Sequence, residues 1–322
     1  MRTIRIRITT FSYLFNIIQL LELPAIDARS CVVLYIGRLL DIWLEASGVD
    51  ESCTNTIIML IESEIDHLAH YLVNKLCHST AYSRLEPRRL LVGISGVPAS
   101  GKTTFAQILT ERINDILDIR RKQGAIAQLN SDETTVQDLL SIGDLENLQA
   151  ILVALDGWHL TRAELDVFPD PQKAHDRRGS HWTFDGLGYV SFVRALRDSI
   201  ISSSTPSISA PSFDHALKDP TPDAVSIYPY HRIVIIEGLY TFLAIEPWSE
   251  GGLLLDERWF IQADPVEARR RLIKRHVLTG VAKDLKEAEW RADENDGPST
   301  SVCLSLFIPS FLILFLSSLN FL

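Results

Sequence analysis

RLLVGISGVPASGKT, residues 89–103, is the stretch that decides the fold of this 322-residue chain. Its first half is an apolar run with the length and composition of a buried parallel strand. The run ends in a glycine-rich turn that fits the pattern GxxxxGK[ST] from Gly96 to Thr103. Apolar residues then recur at helical spacing, so the sequence predicts a helix from Lys102 towards Ile119. A strand, such a turn and a helix in this order predict a phosphate-binding loop, or P-loop.

The predicted loop binds phosphate for a physical reason. Its glycines let backbone amides turn towards anionic oxygens, and the amino terminus of the following helix adds partial positive charge. Lys102 is expected to reach the β- and γ-phosphates of ATP, and Thr103 to offer its hydroxyl to Mg²⁺. A chance glycine turn is the alternative, but the flanking strand and helix disfavour it. The residues expected to contact the nucleotide are Gly96, Val97, Pro98, Ala99, Ser100, Gly101, Lys102, Thr103 and Thr104.

Three further apolar runs predict the rest of a parallel sheet. They cover residues 150–155, 233–236 and 258–263, and other segments separate them. Strands that alternate with helices indicate an α/β fold, in which helices cover both faces of a parallel sheet. Two stretches are predicted as loops: the polar residues 123–149, which include a short helix, and the Ser- and Pro-rich residues 202–222.

Two carboxylates follow predicted strand ends. Ligands collect at the carboxyl ends of parallel strands, so Gly96, Asp156 and Glu237 are expected to meet there. Glu237 is predicted to hold or orient Mg²⁺, with a simple cap as the alternative role. Asp156 is predicted to accept the proton of a substrate hydroxyl as that hydroxyl attacks the γ-phosphate. An N-cap of the next segment is the alternative role for Asp156.

A basic helix follows the last of these predicted strands. Asp264 can cap it, Pro265 can take its first position and Gly280 can close it. Basic helices usually face solvent, but in phosphoryl transfer an arginine from a mobile lid neutralises charge on the transferred group. Arg275 and its neighbours are predicted to form this lid, although spacing does not single out one side chain. The basic residues of the helix are Arg269, Arg270, Arg271, Lys274, Arg275 and His276.

The segment after the second predicted strand supplies candidates for contact with a second substrate. His159 and Trp158 can line its pocket, although a single Trp is more often a core residue. Arg177, Arg178 and His181 lie in a loop further along and can contact an acidic or polyhydroxylated molecule.

Composition limits the partners and the compartment. The net charge is −10, with 31 Lys and Arg against 41 Asp and Glu, which leaves no broad basic surface for general nucleic-acid binding. The four cysteines form no CxxC pair and no cluster with histidine. This spacing disfavours a zinc site and a disulfide framework, so a reducing compartment, the cytoplasm, is predicted. The oligomeric state is left open.

Five stretches resemble the phosphoribulokinase/uridine kinase family of P-loop kinases, which also includes bacterial-type pantothenate kinases. They occur in family order between residues 90 and 296, and the second is far more specific than a P-loop alone. Its PDPxxAHxRRG variant is similar to a little-characterised fungal subgroup. The stretches are GISGVPASGKTT (93–104), LDGWHLTRAELDVFPDPQKAHDRRGSHWTFD (155–185), APSFDHALKDPTPDAV (210–225), IVIIEGLYTFLAIEPW (233–248) and LLLDERWFIQADPVEARRRLIKRHVLTG (253–280).

The resemblance implies roles at matching positions. The DGWH run is similar to the family's DGF[HY] signature, whose Asp activates the acceptor hydroxyl and corresponds to Asp156. The EGLY run is similar to the EGNY or EGxY signature, which places Glu237 at the metal and Tyr240 at the substrate. His159 and Arg178 complete the predicted substrate residues. The implied fold is a three-layer P-loop kinase fold with a parallel sheet and a helical lid.

Two departures from the family pattern affect these expectations. Leu239 stands where relatives usually carry Asn, so a hydrogen bond in the pocket is expected to be missing. The resemblance also stops near Asp296, before the portion that helps the family hold adenine and finish its sheet. The C-terminal part of the domain is therefore predicted to be truncated.

The chain is divided by these expectations into three parts. Residues 59–300 are the predicted kinase domain, which opens with a helix over residues 59–89. Residues 1–58 are an extension with a basic start, either a mitochondrial-type targeting segment or not native. Residues 301–322 carry no charge and are either a membrane tail anchor or an aberrant end. The aberrant end is favoured, because an anchor normally follows a finished domain.

The predicted function is transfer of the γ-phosphate of ATP to a hydroxyl of a small metabolite. Nucleosides such as uridine, pantothenate-like molecules and sugars are the candidate acceptors, with Mg²⁺ as the metal. One alternative is a nucleotide-binding protein that hydrolyses ATP or GTP without an acceptor; the chain lacks the guanine-reading NKxD motif. Another is an inactive, truncated relative.

Overall fold

The structure is a computed structural model that describes residues 32–34, 51–78, 88–130, 148–198, 200, 205–214, 217–299, 306 and 312–315. Most of the predicted extension (1–58), most of the predicted tail and residues 131–147 of the predicted loop lie outside the described residues. The strands are β1 (Val32–Leu34), β2 (Leu90–Gly96), β3 (Gln149–Ala154), β4 (Ile208–Asp214), β5 (Asp219–Ile227), β6 (His231–Glu237), β7 (Glu257–Gln262) and β8 (Leu312–Phe315). The α-helices are α1 (Glu51–His78), α2 (Lys102–Asn130), α3 (Arg162–Asp166), α4 (Pro171–Asp176), α5 (Gly186–Arg197), α6 (Trp248–Leu253), α7 (Pro265–Leu278) and α8 (Leu285–Arg291).

Six of the strands form one parallel sheet in the order β1-β8-β7-β2-β6-β3. The four strands predicted from apolar runs are β2, β3, β6 and β7, and they form the centre and one side of this sheet. Alternate side chains of β2 point to opposite faces, with Leu90 and Val92 in one hydrophobic cluster and Leu91 in the other. Helices α1 and α2 pack on the first face, and α5 and α6 on the second. The predicted three-layer α/β fold is confirmed.

Two loop predictions are wrong in part. Helix α2 runs to Asn130, so residues 123–130 are helical, since the single Gly124 costs only about 1 kcal/mol within a helix. Strands β4 and β5 pair as an antiparallel hairpin across most of residues 202–222. A shift in register lies between Ala210 and Ser212, at the position of a proline. A two-stranded ribbon tolerates prolines, because each strand has a free edge and a bulge absorbs the missing donor.

Segments assigned to the extension and to the tail also take part in the fold. Strand β8 pairs with β7, with Trp259 opposite Leu312, and β1 pairs with β8. Helix α1 covers Glu51–His78, whereas the sequence predicted a helix over residues 59–89; it begins before Met59, and residues 88 and 89 are not helical. Among the helices that the structure describes, none is long and apolar enough to cross a membrane.

A buried carboxylate ties α1 to the sheet. Glu257 at the start of β7 accepts a hydrogen bond of 2.6 Å from the Tyr71 hydroxyl and another of 3.0 Å from the Trp259 indole nitrogen. Lys75 forms an ion pair with the same carboxylate. Burial raises the pKa of Tyr71, and the neighbouring Glu257 raises it further. Helix α1 is therefore an integral part of the domain.

Leu72→Ala is expected to lower the free energy of unfolding by about 2–5 kcal/mol, because the fully buried side chain leaves a cavity between α1 and the rest of the core. Urea unfolding followed by circular dichroism measures the loss. His67→Ala, at an exposed position of the same helix, is the control and should change stability by less than about 0.5 kcal/mol. Equal effects of the two variants would contradict the packing of α1 described above.

Candidate active site

The P-loop turns sharply between β2 and α2. Ala99 and Gly101 have positive φ angles of 59° and 88°, in the left-handed region that turns successive backbone amides towards one point. A side chain at Gly96 would lie 2.6 Å from the carbonyl oxygen of Ile261, so the loop and β7 approach too closely for any other residue. Helix α2 begins at Lys102, and the predicted order of strand, turn and helix is confirmed.

Glu237 lies at the centre of the strand ends. Its backbone is in register with Ile94 of β2 on one side and with Ala154 of β3 on the other. Its carboxylate is 3.9 Å from the ammonium nitrogen of Lys102 and accepts a hydrogen bond from the hydroxyl of Thr103. The structure thus brings the predicted metal residues, Thr103 and Glu237, into direct contact.

Burial governs the electrostatics of Glu237. Removal from water raises the pKa of its carboxyl, because the side chain is only 7% exposed. The positive charge of Lys102 is the main effect that lowers it, and the hydrogen bond from Thr103 also lowers it. The charge of Asp156 raises the pKa, and that of Arg275 lowers it. The charges of Lys102, Asp156 and Arg275 therefore all act on this one carboxylate.

Asp156 lies just after the carboxyl end of β3, the strand at one edge of the sheet. It belongs to the 3-10 turn Leu155–Trp158 that follows β3, and its side chain is exposed. Among the described residues, no hydrogen bond or ion pair engages its carboxylate, and it caps no helix there. Gly157 makes this turn possible, because a side chain there would lie 2.2 Å from the carbonyl oxygen of Pro211 in β4. Trp158, by contrast, is a core residue that packs on Tyr189.

The lid is the helical unit formed by α7, α8 and the π-helical segment Ala292–Asp296. Asp264 caps α7 by accepting a 2.9 Å hydrogen bond from the amide of Glu267, and Gly280 follows the helix with a φ of 67°. The buried apolar residues of the lid pack against Ala99 of the P-loop. The lid therefore lies directly over the predicted nucleotide site.

Ion pairs within the lid distinguish its arginines. Arg270 and Arg271 both donate to Glu267, each at 2.7 Å or less. Arg269 donates to Asp293 through two hydrogen bonds of 2.8 Å. No carboxylate in the described part of the chain pairs with Arg275, whose charge acts on Glu237 instead. Arg275 is therefore an arginine of α7 whose charge lowers the pKa of Glu237, and its role at the site stays a prediction.

His159 stands beside Asp156 in an aromatic setting. Its Nδ1 lies 2.8 Å from the carbonyl oxygen of Asp156, which can only accept, so Nδ1 carries the proton. The ring centroid is 3.9 Å from that of Phe184 and 4.9 Å from that of Phe213. These three rings form a wall next to the proposed base.

Arg178 supports the loop in which it lies, residues 177–181, which we call the acceptor loop. Its guanidinium donates at 2.8 Å to Asp219 and at 2.7 Å to the carbonyl oxygen of Leu160, and it lies over the ring of Phe213. These partners occupy much of its hydrogen-bonding capacity. A direct contact between Arg178 and a substrate stays a prediction.

Tyr240 holds the same loop from below. Its ring is fully buried, and its hydroxyl donates a 2.9 Å hydrogen bond to the carbonyl oxygen of Gly179. Because Tyr240 follows Glu237 at the end of β6, it fixes the acceptor loop relative to the predicted metal site. A contact between Tyr240 and the substrate also stays a prediction.

Sequence reasoning did not single out Phe184, Phe213 or Asp219. The two phenylalanines flank His159, and Asp219 also pairs with Arg162 at 3.2 Å. All three lie within the quoted family-like stretches, so that resemblance was the signal available. Their roles depend on the hairpin of β4 and β5, which the sequence predicted as a loop.

The fold and this edge of the sheet define a P-loop kinase. Over 142 residues the chain is 49% identical to the ATP-dependent kinase-like protein notR′ of Aspergillus versicolor, covering 44% of this chain and 82% of that protein. Over 234 residues it is 32% identical to a protein of Schizosaccharomyces pombe with the provisional name uridine kinase C227.14, covering 73% and 83%. The chain therefore belongs to the uridine kinase-like family of P-loop kinases, and the resemblance found in the sequence is confirmed.

Solved structures agree on the fold. YFH7 from Saccharomyces cerevisiae superposes with a TM-score of 0.63 at 24% identity, over 81% of this chain and 99% of that one. A provisionally named fructose transport system kinase from Silicibacter sp. TM1040 superposes with a TM-score of 0.57 at 23% identity, over 77% and 98%. At these identities the likeness shows the fold alone. No family model matches the chain.

Glu237→Gln is expected to raise the Tm of the nucleotide-free protein at neutral pH. A raised pKa means that the folded state prefers the protonated carboxyl. The protonated carboxyl of Glu237 stabilises the fold fully at pH values below the ordinary pKa of a glutamate. This stabilisation is lost as the pH rises through the raised pKa of Glu237 in the folded state. The charged carboxylate therefore destabilises the folded state at neutral pH, and the neutral amide of glutamine removes this cost.

Thermal unfolding at neutral pH and near pH about 4 measures this effect. The gain in Tm should shrink at the acid pH, where the wild-type carboxyl is protonated. Glu250→Gln is the control, because its exposed carboxylate pairs with Arg194, which lowers its pKa. A gain for Glu237→Gln that does not depend on pH would contradict the burial argument.

Proposed function

We propose that this protein is a kinase that transfers the γ-phosphate of ATP to a hydroxyl of a small metabolite. The carrying observation is the position of Asp156, an exposed carboxylate without a donor among the described residues, one strand from Glu237 and two from the P-loop. A protein that only binds nucleotide has no need of a base at that place. Kinase names among the relatives support the same class of reaction.

The P-loop side of the site would bind and orient the phosphates of ATP. Amides of the P-loop and the ammonium of Lys102 would hold the phosphates, while the lid covers them. The residues present fit Mg²⁺, because Thr103 and Glu237 offer hard oxygen donors in contact with each other and phosphate oxygens complete such a site. Bound there, Mg²⁺ would neutralise charge on the β- and γ-phosphates.

The transfer step would use Asp156 on the acceptor side of the γ-phosphate and Arg275 from the lid. The acceptor hydroxyl oxygen forms a bond to the γ-phosphorus as the bond to the bridging oxygen of ADP breaks, and its proton passes to the carboxylate of Asp156. The guanidinium of Arg275 would neutralise negative charge on the transferred group. No carboxylate of the described lid pairs with this guanidinium. Product release requires the lid to lift.

The acceptor would lie against the wall formed by His159, Phe184 and Phe213. Aromatic rings beside a base suit a molecule that carries both a ring and a hydroxyl. Arg178 is already matched by Asp219, which reduces the positive charge available for an anionic acceptor. A nucleoside such as uridine is therefore the first acceptor to test, ahead of pantothenate-like molecules and sugars.

A screen of ATP consumption tests this function. The full-length chain, with Mg²⁺ and ATP, is incubated with single members of a panel of nucleosides, pantothenate-like molecules and sugars. At least one hydroxylated member should raise ADP formation above the acceptor-free rate, and Lys102→Ala should abolish the increase. ADP formation that no acceptor stimulates would instead indicate a nucleotide hydrolase.

Asp156→Asn is expected to lower kcat for the acceptor found by this screen about 10²- to 10⁴-fold, because the amide cannot take the proton. The dissociation constant for MgATP, measured by calorimetry, should change little, since Asp156 lies on the acceptor side. Asp223→Asn, at an exposed position of the hairpin, is the matched control. Unchanged turnover in the Asp156 variant would refute its role as the base.

Arg275→Ala is expected to lower kcat by about tenfold or more, because charge on the transferred group loses its neutralising partner. Arg270→Ala is the control on the same helix; its guanidinium is exposed and paired with Glu267. Steady-state kinetics at saturating ATP compare the two. Equal losses would show that the whole basic helix, rather than Arg275, acts on the reaction.

A further inference from the structure

The π-helical segment at the end of the lid has side chains that reach in two directions. Such segments are rare and often lie at functional sites. Asp293 binds back to Arg269 of α7, and the carboxylate of Asp296 lies 3.0 Å from Nε2 of His276 on the same helix. These two contacts hold the segment to α7 on both sides of Arg275 in sequence.

The two residues between them reach the acceptor loop. Asn295 donates a hydrogen bond of 3.3 Å from Nδ2 to the carbonyl oxygen of Arg178. The carboxylate of Glu294 lies 3.9 Å from the guanidinium of Arg177. Four consecutive side chains therefore connect α7 with the acceptor loop, and we call this connection the lid–loop bridge.

Both ends of the lid–loop bridge are fixed to the site. On one side, Asp219 holds Arg178, and the hydroxyl of Tyr240 holds the next residue of the acceptor loop. On the other side, α7 carries Arg275, and the lid rests on Ala99 of the P-loop. A shift of the acceptor loop would therefore move the π-helical segment, and with it α7, the helix that carries Arg275.

Asn295 is only half satisfied in this position. Its Oδ1 is buried without a hydrogen-bond partner, and so is Nε of Arg178 across the contact. Buried polar atoms are normally paired, and an exception calls for an explanation in terms of function or bound solvent. A residue chosen for packing alone would carry no carboxamide here. The donor of Asn295 is the part that the structure uses.

We propose that Asn295 is a positioning residue, which fastens the lid to the acceptor loop so that Arg275 is placed at the transferred phosphate. This inference rests on the proposed function. It makes ordering of the acceptor loop and closure of the lid a single event, because each stabilises the other through the same hydrogen bond. Transfer to water before an acceptor binds is thereby disfavoured.

Hydrogen exchange on the full-length chain tests the bridge without any acceptor. Asn295→Leu keeps the approximate size of the side chain, removes the donor to the carbonyl oxygen of Arg178 and offers no acceptor to the unpaired Nε of Arg178. Amides in residues 177–181 should then exchange about tenfold faster than in the wild type, with or without Mg²⁺ and a non-hydrolysable ATP analogue. Lys286→Ala, an exposed change on α8, is the control. Unchanged exchange in the Asn295 variant would overturn the proposal.

Kinetics of a double variant separate positioning from general support. Asn295→Leu should lower kcat about tenfold while the dissociation constant for MgATP changes less than about threefold. If Asn295 acts by placing Arg275, adding Asn295→Leu to Arg275→Ala should cause no further loss. Fully additive losses would overturn the proposal. A wild-type chain that binds MgATP and phosphorylates no acceptor would refute the proposed function, while the exchange experiment still decides whether the lid–loop bridge exists.

Discussion

The buried carboxylate of Glu237 is the constraint on which the rest of the site depends. It lies at the end of the strand between β2 and β3, where water is excluded, so its charge needs nearby partners. Lys102 and Thr103 supply them from the start of α2, and this requirement fixes the direction in which the P-loop helix leaves the sheet. Asp156, on the next strand, adds a second negative charge, which raises the pKa of Glu237 further.

Most arginines of the lid are neutralised by ion pairs within the lid. Helix α7 is rich in arginine, yet most of its guanidinium groups pair with acids of the lid itself, such as Glu267 and Asp293. These surface pairs add little stability individually, but they remove competing positive charge. Arg275 has no carboxylate partner among the described residues, and its charge lowers the pKa of Glu237. Asp293 also holds the π-helical segment to α7, and Asn295 of that segment contacts the acceptor loop.

Much of the fold was predictable, because strands that are buried on both faces appear as continuous apolar runs. This is why β2, β3, β6 and β7 were found. The hairpin of β4 and β5 was missed, since its prolines and serines indicate a loop and its pairing is decided by packing against the 3-10 turn after β3. Strands β1 and β8 were missed as well, because a three- or four-residue strand has no pattern of its own and depends on a partner far away in the chain.

The sequence by itself determined the P-loop and the acids at two neighbouring strand ends, because these features are local and parallel topology brings strand ends together. Only the tertiary structure decided that Arg269 of the lid pairs with Asp293, a residue 24 positions away, and that Arg275 has no carboxylate partner among the described residues. It also decided that Arg178 binds Asp219, a residue 41 positions away. The bridge from Asn295 to the acceptor loop spans 117 positions. Contacts over such distances depend on how the whole chain packs, and no local pattern encodes them.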